Sequence, residues 1–187
     1  IEKDILVPTI DALRREGITY RGVLYAGLML TQGGPKVLEY NCRFGDPECQ
    51  PLMARFDGDL IEAFWAVATG TLDDVSFTID PRVGCCVVVC SGGYPGPIQK
   101  GLPIGGLDAL ADLPRGGEEL IAFHSGTASD GQLTVTAGGR VLGLTALAED
   151  LARARDLANE AAAAISFDGA FFRQDIGHRV LSIPARK

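Results

Sequence analysis

An acid, an amide and a guanidinium recur at every second position of Val37-Leu38-Glu39-Tyr40-Asn41-Cys42-Arg43, and the run continues directly into Phe44-Gly45-Asp46-Pro47-Glu48. Successive side chains of an extended strand point to opposite faces, so Glu39, Asn41 and Arg43 share one face and Leu38, Tyr40 and Cys42 the other. Two hard oxygen ligands then stand beside one fixed positive charge. Such oxygens suit a magnesium ion held by one or two protein groups plus the phosphates of a substrate, which points to nucleotide chemistry rather than a structural metal. Arg43 is placed where negative charge builds up on a transferring phosphoryl group or an acyl phosphate. A half-buried strand with a solvated polar face shows the same alternation, and alternation alone does not separate the two readings.

The continuation narrows the choice. Gly45 permits unusual backbone angles, and Asp46-Pro47 reads as an N-cap followed by a first-turn proline. The strand is therefore expected to feed straight into a helix N-terminus, whose free N–H groups attract anions. An ordinary strand-to-helix connection favours the same residues.

Upstream, Ile1, Ile5, Leu6, Ile10 and Leu13 predict a helix over 1–16 that begins with no evident cap. A strand over 22–31 and a turn at Gln32-Gly33-Gly34-Pro35 make an antiparallel hairpin with the alternating strand. Two helices are expected downstream, one from Pro47 and one capped by Asp59 with Glu62 three residues on, turning Leu60, Phe64 and Val67 inward and stopping at Gly70. Trp65 reads as core or interface packing. The acidic stretch Leu72-Asp73-Asp74 marks a boundary between 70 and 81, giving domains 1–72 and 73–187.

Beyond it, Val83-Gly84-Cys85-Cys86-Val87-Val88-Val89-Cys90 is continuously apolar, as a strand buried on both faces must be, and it ends at a glycine-rich loop. Further strands are expected over 120–123, 133–136, 140–145 and 170–173, and Leu151, Ala154, Ala158, Ala161, Ala162 and Ile165 stripe a helix. The class is α+β. Ser91-Gly92-Gly93-Tyr94-Pro95-Gly96 lacks the lysine and spacing of a phosphate-binding P-loop. His124 can donate to a substrate oxygen or serve as a structural hydrogen-bonding group. Arg140, after Gly138-Gly139, can meet an anion or follow a hairpin turn.

Composition excludes some classes. The 187 residues carry 17 basic and 24 acidic groups, a formal charge of -7, which argues against a broad nucleic-acid surface. No apolar run approaches the roughly 20 residues of a membrane helix. Five cysteines, an odd number with no C-x-x-C pair, support neither a disulfide framework nor a zinc site, so reduced and mostly buried thiols are expected.

The stretch Glu39-Tyr40-Asn41-Cys42-Arg43-Phe44-Gly45-Asp46-Pro47-Glu48-Cys49-Gln50-Pro51 resembles the signature of the glycinamide ribonucleotide synthetase family, ATP-grasp ligases of purine synthesis. Tyr20-Arg21-Gly22-Val23-Leu24-Tyr25-Ala26-Gly27-Leu28-Met29 precedes it as in that family. Ser91-Gly92-Gly93-Tyr94-Pro95-Gly96, Lys100-Gly101, Phe123-His124-Ser125-Gly126-Thr127, Gly138-Gly139-Arg140-Val141-Leu142 and Arg173-Gln174-Asp175-Ile176-Gly177 follow in the family's order. The resemblance implies the end of an ATP-grasp domain followed by a small mixed carboxy-terminal domain. It further implies ATP-dependent joining of glycine to 5-phosphoribosylamine, giving glycinamide ribonucleotide, ADP and phosphate in the cytoplasm. Glu39 and Asn41 would hold Mg2+ or Mn2+ on the ATP phosphates, and Arg43 would stabilise the charged intermediate. Asp46, Tyr94, Gly96, His124, Thr127 and Arg140 would lie near substrate.

Also implied are an amino-terminal domain for phosphoribosylamine, a lid and the first part of the ATP-grasp unit, none of which the sequence contains, so a chain without them is expected to be inactive alone. Cys49, Pro97-Ile98 and Ser125 depart from the family's common residues. Another ATP-grasp ligase or carboxylase shares the Glu-x-Asn-x-Arg strand, but the Phe-Gly-Asp-Pro continuation and the later loops argue against it. A non-catalytic folding or interaction module is the alternative from a different class. Cys42 and Cys49 lie inside the signature, so alkylating them is expected to block activity of the assembled enzyme; full activity after alkylation would remove that role.

Overall fold

The computed structural model describes residues 1–182. It divides into two compact units, one of Ile1–Asp46 with Asp57–Thr78 and one of Pro47–Phe56 with the chain from Ile79 onward.

The first unit opens with a π-helical turn, Glu2–Leu6, that runs into α1 (Val7–Arg15). The expected helix is thus present but changes its winding near Pro8, which has no N–H to give to the preceding turn. Ile5 is buried on the expected stripe, whereas Ile1 is exposed. Two strands, β1 (Tyr25–Thr31) and β2 (Gly34–Asn41), pair antiparallel with Thr31 opposite Gly34, so the connecting loop is only Gln32-Gly33. The pairing carries a bulge: Gly27 faces Glu39 while Leu28 faces Val37, leaving Leu38 as the extra residue.

The unit continues, past residues that belong to the second, with α3 (Leu60–Thr69). Asp59 caps α3 as expected, accepting the Glu62 N–H at 2.9 Å, and Gly70 ends it in the left-handed conformation at φ 79. The buried positions are Ala63 and Ala66, with Leu60 and Val67 half-buried beside them as expected, while Phe64, 43% exposed, departs from the expected inward stripe. Small side chains let the helix approach its neighbours closely, so the alanine line takes the inner face and Phe64 falls at its edge. Trp65 is 71% exposed and is not core.

In the second unit, α2 (Cys49–Arg55) starts later than the sequence suggests. Asp46–Glu48 form a turn, Glu48 occupies the N-cap without a side-chain capping bond, and the bond from Leu52 N to Glu48 O closes the first turn. Asp46-Pro47 is therefore not the cap and first helical residue. Two very short strands, β3 (Phe56–Asp57) and β4 (Thr78–Ile79), stand where the chain passes between units.

The core of this unit is an antiparallel sheet in the order β5 (Val83–Cys90), β9 (Arg140–Ala148), β6 (Glu119–His124). The central strand β9 is buried from Val141 to Ala148 because both its faces are covered. On one face α4 (Leu151–Ala164) packs its alanine stripe, and Cys85 lies with Ala148 and Ala154. On the other, Cys86 lies by Gly143 with Gln50 of α2 beside it. Burial pushes the Cys85 and Cys90 thiols above their ordinary range, which keeps them protonated.

A second small sheet pairs β7 (Thr127–Ser129) with β8 (Thr134–Thr136). The strand expected over 170–173 is reduced to a single bridge between Cys90 and Phe171, since the chain turns away over Gln174–Gly177 toward the short α5 (His178–Leu181).

Charged pairs tie the starts of the sheet strands together. Arg82 reaches Asp80 at 2.6 Å and Glu119 at 2.8 Å and donates to Gly117 O at 2.9 Å, while Arg153 meets Glu118 at 2.6 Å. The guanidiniums hold the Asp80 and Glu118 carboxyls below their usual range. A depressed carboxyl contributes stability above its unfolded value, about 4, and loses it as pH falls through the folded value. The urea midpoint is therefore expected to drop below about pH 4 in the wild type and to change less steeply in Asp80→Asn with Glu118→Gln; identical slopes would show that these pairs carry no acid sensitivity.

Candidate active site

In the first unit the pleat of β2 sets Glu39 and Asn41 on one face, and Asn41 Nδ2 donates to Glu39 Oε1 at 3.2 Å. The amide nitrogen faces the carboxylate, and among the described residues Asn41 Oδ1 and Glu39 Oε2 take no hydrogen bond. These two oxygens have the chemistry a hard divalent cation requires. Among the described residues no group of three or more His, Cys, Asp or Glu gathers to hold a metal by itself. Gly27, opposite Glu39 on β1, leaves the space the glutamate stem occupies: a Cβ there would stand 3.1 Å from Glu39 Cγ.

Arg43 differs from expectation. The strand ends at Asn41, and Cys42 and Arg43 form a bend, so Arg43 does not share the β2 face by strand geometry. Its guanidinium donates to the Phe44 carbonyl at 2.8 Å. The bend is buttressed by a tilted contact between the Phe44 and Phe64 rings, with centroids 6.2 Å apart, and by the burial of Gly45. Tyr20 stands on the other side of the strand's end: its hydroxyl donates to Val23 O at 2.6 Å and bonds the exposed Cys42 thiol, which holds the phenol above its ordinary range. Cys49 is half-buried, and none of the five cysteines is in a disulfide. Asp46 is exposed in the turn after the bend.

In the second unit the loops singled out by sequence converge at one end of the three-stranded sheet. Ser91 leaves β5 and anchors to the 138–140 turn twice, its N–H donating to Gly139 O at 2.8 Å and its hydroxyl to Gly138 O at 2.9 Å. Tyr94 lies against the Cα of Gly139, and the Gly96 N–H closes the loop on Gly93 O at 2.7 Å. Gly126 N–H donates to Arg140 O at 2.8 Å, and a Cβ on Gly126 would stand 2.6 Å from Gly138 Cα. His124 Nδ1 lies 3.0 Å from the Thr127 hydroxyl. Tyr94, Gly96, His124, Thr127 and Arg140 are thus carried by three loops tied to one another by backbone bonds. The exposed Tyr94, His124 and Arg140 present a phenol, an imidazole and a guanidinium, groups suited to a polar anionic ligand. Sequence reading missed the Phe44–Phe64 contact, the Tyr20–Cys42 bond and the Ser91 anchor, which all join residues far apart in the chain. Only Gly27 carried a usable local sign, a glycine within a strand.

Residues 84–179 match the family model "Phosphoribosylglycinamide synthetase, C domain", and residues 1–49 match its ATP-grasp (A) domain. The chain belongs to the phosphoribosylglycinamide synthetase family. It is 45% identical over 183 residues to a phosphoribosylamine–glycine ligase of Rhodopirellula baltica, a match covering 97% of this chain and 41% of the relative. It is 47% identical to the trifunctional purine biosynthetic protein adenosine-3 of Gallus gallus, covering 97% of this chain and 18% of that protein. A crystal structure of phosphoribosylamine–glycine ligase from Thermotoga maritima superposes with a TM-score of 0.71 at 33% identity, covering 89% of this chain and 40% of that one. The α+β class and the succession of an ATP-grasp segment and a C domain are those of the family. The chain spans about two fifths of the length of the single-function ligases it matches.

Within this synthetase-family chain, the Gly126–Gly138 approach is backbone on backbone and cannot yield as a side chain would. Gly126→Ala is expected to cost about 1–3 kcal/mol by overpacking, read from urea unfolding; unchanged stability would show that the loops are not locked together.

Proposed function

We propose that this chain forms one wall of the active site of a ligase that joins glycine to 5-phosphoribosylamine at the expense of ATP. The observation that carries the reading is the Glu39–Asn41 oxygen pair, held on one face of β2 directly before the Arg43 bend, in a chain 42–47% identical to proteins named phosphoribosylamine–glycine ligase or adenosine-3. Enzymes of the ATP-grasp class use ATP and a divalent metal ion. Here Glu39 and Asn41 would hold magnesium or manganese, and the ion would neutralise charge on the phosphate oxygens of ATP.

The glycine carboxylate oxygen attacks the γ-phosphorus, ADP leaves, and an acyl phosphate forms. The phosphoribosylamine nitrogen then attacks the acyl carbon, inorganic phosphate leaves, and the amine gives up a proton to yield glycinamide ribonucleotide. Both steps concentrate negative charge on phosphoryl oxygens, and a guanidinium stabilises them most when it is already in place. Arg43, anchored to the Phe44 carbonyl by one N–H, would supply that charge with its remaining donors. Asp46 and the loops bearing Tyr94, Gly96, His124, Thr127 and Arg140 bind substrate groups.

Residues 1–72 would complete the nucleotide-handling domain and 73–187 the carboxy-terminal domain. The rest of a family-length enzyme would cover the exposed apolar residues of the first unit, such as Leu30, Leu38, Ile61 and Trp65. Five cysteines outside any disulfide fit the reducing cytoplasm in which purine synthesis would run.

In a ligase of full family length carrying this sequence, Arg43→Ala is expected to lower turnover about a hundredfold, the loss of roughly 3 kcal/mol of transition-state stabilisation, with little change in ATP affinity. Turnover that survives the substitution would remove Arg43 from the chemistry.

A further inference from the structure

Glycine at position 27 is not explained by its backbone. Its φ does not lie in the left-handed region, where among the described residues only glycines are found, and it sits within a paired strand, a place where glycine weakens rather than helps. What distinguishes the position is what lies over it. An added Cβ would stand 3.1 Å from Glu39 Cγ, 3.6 Å from Glu39 O and 3.8 Å from Glu39 Oε1, and no other residue is among its three nearest atoms. The bulge begins at the same pair. Gly27 is opposite Glu39, and the next rung skips Leu38, so the strand is re-aimed at the residue whose stem crosses the Gly27 backbone.

We propose that Gly27 is a positioning residue for the Glu39 carboxylate. Its missing side chain, together with the Leu38 bulge, lets the glutamate stem fold down on β1. In that position Glu39 Oε1 accepts the Asn41 amide N–H at 3.2 Å, which leaves Glu39 Oε2 and Asn41 Oδ1 as the oxygens for a cation. A methyl at position 27 would press on Cγ, the atom that sets the direction of the carboxylate, and so move the oxygen pair apart while meeting Oε1 only at an ordinary contact distance. The inference rests on the proposed metal role of Glu39 and Asn41, and its test is arranged to separate the two.

The test is a titration with Mn2+ in the presence of ATP, read as free Mn2+ by electron paramagnetic resonance, on a ligase of full family length carrying this sequence. Wild type, Gly27→Ala and Glu39→Gln are compared, with the melting temperature of each measured without metal. Gly27→Ala is expected to weaken Mn2+ binding about tenfold, the scale of losing support around a ligand, while its metal-free melting temperature stays at or above that of the wild type. Wild-type affinity in Gly27→Ala beside a loss in Glu39→Gln would overturn the positioning role and leave the metal reading intact. Unchanged affinity in Glu39→Gln would overturn the metal reading and the positioning role with it. A Gly27→Ala protein that fails to fold, or melts well below the wild type, would also count against the proposal, because a stem that can simply be pushed aside should not unfold the strand.

Discussion

The antiparallel ladder between β1 and β2 is the constraint on which the candidate site depends. Alternation along a sequence becomes a chemical face only when the strand is held extended, and pairing from Tyr25–Asn41 to Thr31–Gly34 does this. The hydrogen bond between Asn41 and Glu39 then works at a spacing of two residues, where side chains on one face are neighbours. The bulge at Leu38 adds a local change of direction that alternation by itself would not provide. Where the ladder ends, at Asn41, the chain is released into the bend that carries Arg43, and the aromatic contact from Phe64 is what braces that bend.

A different economy governs the second unit. Its strand β9 is buried along nearly its whole length, which requires cover on both faces, and α4 and α2 supply it with alanines on one side and Gln50 on the other, while Pro51 and Arg55 cover Gly84 of the neighbouring β5. Small side chains at the helix interface bring the layers close, in keeping with the dense packing of protein interiors. The loops at one end of this sheet are joined by main-chain bonds and glycine contacts, so three turns distant in sequence act as one rigid support for Tyr94, His124 and Arg140. Rigid scaffolds that present polar side chains on loops are a common arrangement for binding.

Much of this was legible in the residues. Period two placed Glu39 and Asn41 together, Asp59 with Glu62 and Gly70 bounded α3, and the apolar run at Val83–Cys90 gave the buried strand. The failures have physical causes. Nothing in the alternation tells that the strand stops at Asn41, because Arg43 would suit either a strand or a bend; the outcome is decided by Phe44, Gly45 and a ring on α3. The bulge is invisible for the same reason: one extra residue changes the pairing partner, not the composition. Phe64 has the size and hydropathy of an inward residue, but close helix packing selects the small Ala63 and Ala66 and leaves the ring at the edge. The strand expected over 170–173 has suitable residues but meets Cys90 only through Phe171.

The central claim is that Glu39 and Asn41 bind a divalent cation together. Its most direct test is a crystal structure of a family-length ligase carrying this sequence, grown with Mn2+ and a non-hydrolysable ATP analogue, with the ion located by anomalous scattering. The account predicts one ion within about 2.1 Å of oxygens from both Glu39 and Asn41 and bonded to the analogue's phosphates. An ion held by the phosphates alone, with both side chains out of bonding reach, would contradict it.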